Sequence, residues 1–213
     1  MKPERALLGQ LKALAGKSGP PLGLRIPGFD SFFLRPVSSQ AEFINTHDVT
    51  CLTEWRNCHV RAFLTEFEAN TQRTTLWLSQ CVHFDEGRIL FMIDDASGAP
   101  VGYMGIANID WEASYVEADA IVSKGNTPRG LMSAALRTLL RWAKGQLGLC
   151  NVAVRVLSDN PALHFYSKLG FSEVKRVPLR CEVQPRMISW VEDPSLAKAE
   201  RYLVHHFWND DES

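Results

Sequence analysis

Residues 158–171 read SDNPALHFYSKLGF. The apolar run NVAVRVL just before them has the length and composition of a buried strand, and Gly170 closes a short helix spanning 160–169. FSEVKRVPLR then starts a second strand, so the stretch predicts strand, helix, strand. That order sets the terms for reading everything upstream.

Working outward, a helix starts at Gly130, where Met132, Ala135, Leu136, Leu139, Leu140, Ala143 and Leu147 recur every three or four residues. Arg137, Arg141 and Lys144 lie opposite, so one stripe is buried. Before it, RILFMIDD, the turn ASGA and PVGYMGIANID predict a hairpin over 88–110, and YVEADAIV a third antiparallel strand. SFFLRPV is the first strand of this series. A long helical region over 40–68 follows, interrupted near 47–50, and RTTLWLSQCVHF is a further short helix. Downstream, RMISWVE extends the sheet, Asp193 and Pro194 open a last helix SLAKAERYLVHHF, and NDDES is an acidic tail.

This order predicts an α/β (α+β) fold, one mixed, mostly antiparallel sheet flanked by helices. The expected division is a helix and linker over 1–30, a catalytic domain over 31–192 and a C-terminal helix and tail over 193–213. Residues 5–15 read equally as an appended helix or as a loosely held terminus.

The 23 basic and 24 acidic residues give a net charge of -1, without the excess that draws a protein to nucleic acid or anionic lipid. A small-molecule or protein substrate is the expectation, with no nucleic acid or membrane partner. The five cysteines form no CxxC pair and are odd in number, so reduced thiols and a cytoplasmic location are expected. No segment has the length of a membrane span or the form of a signal peptide.

The loop GNTPRGLMSAAL, residues 125–136, enters its helix without a capping box. A helix beginning at Gly130 turns unpartnered N–H groups and the positive end of its dipole toward the loop, and such an end binds phosphate. Arg129 adds a cation, and Gly130 has no Cβ to obstruct a close approach.

With Asn160, Ala162, Tyr166, Lys168, Gly170 and Phe171, the stretch 158–171 resembles the second signature of the Gcn5-related N-acetyltransferase superfamily, NxxAxxFYxxxGF. The loop resembles that superfamily's coenzyme A motif, Q/RxxGxG/A, with Thr127 in place of Gln or Arg and Met132 in place of the last Gly or Ala. The resemblance runs from Phe33 to about Arg180. It implies acetyl-CoA as co-substrate, with the pyrophosphate at the backbone of Arg129, Gly130, Leu131, Met132, Ser133 and Ala134. The pantetheine arm would run along Ile121 and Val122, where parallel neighbours splay, with Asn160, Ala162 and Lys168 on the cofactor side. No metal is expected.

Acyl transfer to an amine needs a neutral nucleophile, a stabilised oxyanion and a proton for the departing thiolate. Glu117 and Asp119 alternate onto one strand face, and Glu117 matches the superfamily's general-base position; a solvated strand residue or ion-pair partner is the alternative. Tyr166 resembles the general acid, although a phenol near pKa 10 donates a hydrogen bond to a thiolate more readily than a whole proton. Ordinary packing is its alternative. A backbone N–H near Val122 would meet the oxyanion.

The segment LTEWRN and the helix ending at Trp77 resemble a subgroup that N-acetylates nucleotide-linked amino sugars, which implies Trp55, Arg56, Asn57 and Trp77 as acceptor-binding residues. Anchoring of the helices by the tryptophans and a solvated Arg56 remain the alternatives. Ribosomal-protein-type and other Nα-acetyltransferases share the layout. A peptide N-terminal acetyltransferase and a non-catalytic acyl-CoA-binding module therefore stay open beside a small-amine enzyme, as monomer or homodimer. His205 and His206 are adjacent and face apart, and no SxxK, GxSxG or HExxH pattern occurs. Cys150 is expected in the core.

Overall fold

The computed structural model describes residues 3–17 and 23–209. Lys2, the linker centre at 18–22 and the tail at 210–213 lie outside the described residues.

The helices are α1 (Pro3–Leu14), α2 (Thr46–Cys58), α3 (Thr71–Leu76), α4 (Leu131–Leu147) and α5 (Ala162–Lys168). The strands are β1 (Leu24–Arg25), β2 (Phe32–Pro36), β3 (Thr65–Glu66), β4 (Ile89–Asp95) and β5 (Pro100–Asp110), followed by β6 (Tyr115–Ser123), β7 (Asn151–Leu157), β8 (Phe171–Gln184), β9 (Met187–Glu192) and β10 (Arg201–Trp208). Chain contacts define two units, Met1–Trp55 with Asn70–Val152 and Arg56–Ala69 with Ala153–Ser213. The α+β architecture with a mostly antiparallel sheet flanked by helices is as the sequence predicts.

In the first unit β1, β2, β4, β5 and β6 lie in that order, each antiparallel to the next. Every residue of β4 from Ile89 to Asp94 is buried, which explains its unbroken apolar run. The apolar stripe of α4 is buried at Leu131, Ala135, Leu136, Leu139, Leu140, Ala143 and Leu147. Arg35 of β2 pairs with Asp94 of β4 and, through both outer nitrogens at 2.9 Å, with Asp48 of α2. Three elements thus share one buried charge cluster.

The N-terminal helix belongs to this unit. Leu8, Lys12 and Ala15 are buried, and α1 packs on α4. The Lys12 ammonium donates to the carbonyls of Val82 and, at 2.9 Å, of Asp85, satisfying groups that a helix end leaves open.

In the second unit the order is β7, β10, β8, β9 and β3, again antiparallel at every step. Leu157, Leu179 and Leu203 form its core, with Leu64 and Trp190 against them.

Two elements differ from expectation. The predicted last helix over 195–207 is instead β10, seated between β7 and β8. Asp193 explains the start: its Oδ1 accepts from the Ser195 N–H and hydroxyl, closing a local turn where an N-cap would have opened a helix. The aromatic and branched residues RYLVHHFW then pair on both edges. The predicted helical region over 40–68 is α2 flanked by 3-10 turns at Ala41–Phe43 and Val60–Ala62, with β3 beyond them, and the expected break near 47–50 is where α2 begins. Asn45 Oδ1 caps it, accepting from the N–H groups of His47 (2.8 Å) and Asp48 (3.3 Å). Cys150 is exposed rather than in the core, and all five thiols are free.

Candidate functional site

The loop between β6 and α4 meets the physical description of an anion cradle. Gly125 and Asn126 both have positive φ, and the Ser123 hydroxyl accepts from the Gly125 N–H at 3.1 Å. Thr127 Oγ1 stands 3.4 Å from that hydroxyl, so the residue that replaces Gln or Arg is turned into the loop. Gly130 is the N-cap of α4 with φ of 87°, a conformation that L side chains rarely adopt, and no side chain caps the helix.

The Leu131 N–H bonds back to Pro128 O, whereas the Ala134 N–H starts the helical ladder at Gly130 O. The N–H groups of Met132 and Ser133 fall between them, in the turn where the helix itself supplies no acceptor. Arg129 is exposed beside this turn, and Met132, Ser133 and Ala134 are half-buried. The Met132 thioether lies over β5: a Cβ built on Gly102 would be 3.3 Å from its sulfur. Its bulk therefore packs on the sheet.

The pairing of β5 with β6 carries two irregularities that simple alternation hides. Gly105 pairs with Asp119 and Tyr103 with Val122, so β6 holds one extra residue, with Ala120 at φ of 52°. Val122 is buried beyond this bulge and Ile121 half-buried. Near the other end, Ala107 pairs with Glu117 and Asp110 with Tyr115, so the extra residue is in β5, with Asn108 at φ of 52°.

The two acidic residues of β6 differ sharply in their surroundings. Asp119 accepts from Arg88 Nη1 at 2.6 Å, and Arg88 also pairs with Asp85. Glu117 is buried, and two neutral groups donate to it: Tyr115 OH to Oε1 at 2.7 Å and Asn108 Nδ2 to Oε2 at 2.9 Å. Neither holder was legible as a functional residue, although Tyr115 sits two positions from Glu117 on the same strand face.

Trp55 is buried with its ring stacked on Tyr103, centroids 6.2 Å apart and planes 8° from parallel. Trp77 is half-buried in the π-helical turn Trp77–Val82 that continues α3. The hydroxyls of Thr53 and Thr74, 2.7 Å apart, tie α2 to α3.

In the second unit Arg56 donates to Phe67 O and Thr65 O, both at 2.8 Å, and its guanidinium lies 3.8 Å from the Phe67 ring centroid. Asn57 exchanges two bonds with the Ala69 backbone. These side chains shape the segment 57–69 from within, where the sequence reading had Arg56 and Asn57 facing an acceptor.

That segment walls a cavity of about 530 Å³, lined among others by Asn57, His59, Arg61, Asp159, Asn160 and Arg201. Arg201 is buried and engaged by Asp159, Glu66 and the Arg61 carbonyl, which fixes the floor. Arg61 and His59 are exposed at its edge. Asn160 Oδ1 accepts from the Ala162 N–H at 2.9 Å, holding the entry to α5. On α5, Tyr166 is buried edge-on against Phe165 and Phe171, and Lys168 is exposed.

His206 is buried in β10, which pushes its imidazole pKa down; His205 Nε2 lies 3.7 Å from Glu192. Among the described residues no group of three or more His, Cys, Asp or Glu could hold a metal ion. No helix among them is long and apolar enough to cross a membrane.

The model of the acetyltransferase (GNAT) family matches residues 52–171, more than half of the chain. The chain belongs to that family. It is an N-acetyltransferase, and enzymes of the family use acetyl-CoA as co-substrate. No curated protein matches. A mutant of the spermidine N-acetyltransferase SpeG from Vibrio cholerae is similar in fold, with a TM-score of 0.59 at 16% identity over 83% of this chain and 92% of its own. A dodecameric structure of spermidine N-acetyltransferase from the same organism gives 0.58 at 16% over 83% and 92%. A probable acetyltransferase gives 0.63 at 15%, over 90% of this chain and 99% of its own. The donor set at Gly130 fits the family's co-substrate: two first-turn N–H groups, an exposed arginine and no Cβ at the cap.

Proposed function

We propose that the protein transfers the acetyl group of acetyl-CoA to a primary amine of a small molecule by direct attack in a ternary complex. The observation that carries this reading is the Gly130 cap, whose positive φ leaves the first turn of α4 open to a pyrophosphate. Arg129 pairs with that phosphate, and Ile121 and Val122 offer backbone to the pantetheine arm. Asn160, Ala162 and Lys168 are assigned to the cofactor side by the family signature alone.

In the proposed reaction Glu117 takes a proton from the attacking amine. The C–N bond forms, the C–S bond breaks, and Tyr166 donates a hydrogen bond to the departing thiolate. Support for Glu117 over Asp119 is its burial and its match to the family's general-base position, with Asn108 and Tyr115 among the groups that hold it.

The finer reading is an acceptor that carries phosphate, such as a nucleotide-linked amino sugar. Trp55, Arg56 and Asn57 support it less than the cavity does, since exposed Arg61 and His59 offer donors suited to an anion. Trp77, half-buried, remains a candidate wall for the acceptor.

The test is release of coenzyme A with acetyl-CoA and a panel of nucleotide amino sugars, polyamines and peptides, with product masses. Turnover of one amine with a mass gain of one acetyl group supports the reading, and turnover confined to peptides replaces the acceptor class. Binding of acetyl-CoA without turnover makes the protein a binding module. Failure to bind overturns the proposal.

A further inference from the structure

Asn108 reaches Glu117 because β5, where it pairs with β6, contains an extra residue. Between Ala107 and Asp110 the strand advances three residues while β6 advances two, from Glu117 back to Tyr115. The surplus is absorbed at Asn108, whose φ of 52° turns its side chain out of regular alternation. Asparagine is among the few non-glycine residues that adopt this conformation readily. Its amide then donates to Glu117 Oε2 at 2.9 Å.

Tyr115 supplies the other donor from the same strand. Two residues apart on β6, Tyr115 and Glu117 share a face, and the phenol meets Oε1 at 2.7 Å. One donor on each oxygen fixes the plane of the carboxylate. Both of these donors are neutral groups.

We propose that Asn108 and Tyr115 are positioning residues that hold Glu117 in its proton-accepting orientation, a role that rests on the reading of Glu117 as the base. The β5 bulge is then a functional feature. Loss of either donor leaves the carboxylate less well held. A misaligned base costs turnover without loosening the co-substrate.

The cleanest variant is Asn108→Gly, which keeps the left-handed backbone and deletes the amide; Tyr115→Phe deletes the phenol with little change in shape. The first readout needs no acceptor: the 13C signal of the Glu117 carboxyl carbon at one fixed pH in Glu-labelled protein, assigned with Glu117→Gln. The expected result is a displaced or broadened signal in each variant and a larger change in the double variant, with thermal melting confirming that each is folded. The second readout is turnover of an amine from the panel, with kcat down roughly 10-fold and KM for acetyl-CoA within about 2-fold.

A Glu117 carboxyl signal and a kcat equal to wild type in both variants would overturn the inference. If Glu117→Gln keeps full activity and an unchanged pH profile, the base reading fails, and this inference with it. If Glu117→Gln abolishes activity while Asn108→Gly and Tyr115→Phe behave as wild type, only the positioning role falls.

Discussion

Asn57 and Ala69 exchange two hydrogen bonds, Asn57 Nδ2 to Ala69 O at 2.9 Å and Ala69 N–H to Asn57 Oδ1 at 2.8 Å. A side chain here does the work of a strand partner, closing residues 58–68 into a loop. Since Ala69 is buried, Asn57→Ala leaves its backbone groups unpaired and is expected to cost about 1–3 kcal/mol. Urea unfolding measures the cost, and proteolysis within 58–68 reports the opening. A variant of unchanged stability with a raised acceptor KM would instead make Asn57 a ligand contact.

Gly130→Ala places a Cβ where there is room, the nearest atom being Phe29 Cζ at 3.7 Å, so its cost is conformational. The φ of 87° predicts a loss of about 1–2 kcal/mol for alanine and less for asparagine. Calorimetry is expected to show weaker coenzyme A binding in parallel. Gly145→Ala on the same helix, where a Cβ meets nothing within 4 Å, is the control and should stabilise by about 0.5–1 kcal/mol.

Asp94 makes part of the stability depend on pH. Burial raises its carboxyl pKa, and the hydrogen bonds and charge of Arg35 only partly reverse the rise. Burial also works against the Arg35 charge, but hydrogen bonds to Asp48 and Asp94 outweigh it and hold that guanidinium firmly protonated. A carboxyl whose folded pKa lies above its unfolded value of about 3.9 holds its proton more tightly when folded. The native state therefore gains from this group in acid and loses that gain as pH climbs through the raised pKa. Relative to wild type, Asp94→Asn should become progressively more favourable as pH rises from about 4 through the raised pKa. Urea midpoints at several pH values test the sign, and a flat or reversed difference refutes it.

Trp55 distinguishes packing from recognition. Buried and stacked on Tyr103, it should cost about 3–5 kcal/mol when cut to alanine and much less when replaced by phenylalanine. In Trp55→Phe, acceptor KM is expected to stay within about 2-fold of wild type. A large KM change in a fully stable Trp55→Phe protein would return the residue to the acceptor site.

Apolar periodicity made the hairpin β4–β5 and helix α4 legible, because burial alone decides them. It failed where a few polar bonds decide. Arg56 and Asn57 stop the long helix expected over 40–68, and Asp193 replaces an expected helix start with a turn. Both depend on where a backbone carbonyl or amide lies in space, which residue spacing does not encode. The site divides in the same way. Gly130 was readable because glycine at a helix entry has a local meaning; alternation put Glu117 and Asp119 on one face, and only the family resemblance chose Glu117 between them. The holders of Glu117 were not, since the bulge at Asn108 arises from pairing with another strand.

The packing of α1 on α4 has a consequence for synthesis. The helix leaves the ribosome before the rest of its unit, carrying Leu8 and Lys12, both destined for burial. Its carbonyl partners at Val82 and Asp85, and the α4 surface it covers, emerge later still. At about 5–20 residues per second that interval is on the order of 10 s for α4. During that time a nascent chain presents an amphipathic segment whose docking surface does not yet exist, the window in which a chaperone or a misplaced neighbour would meet it.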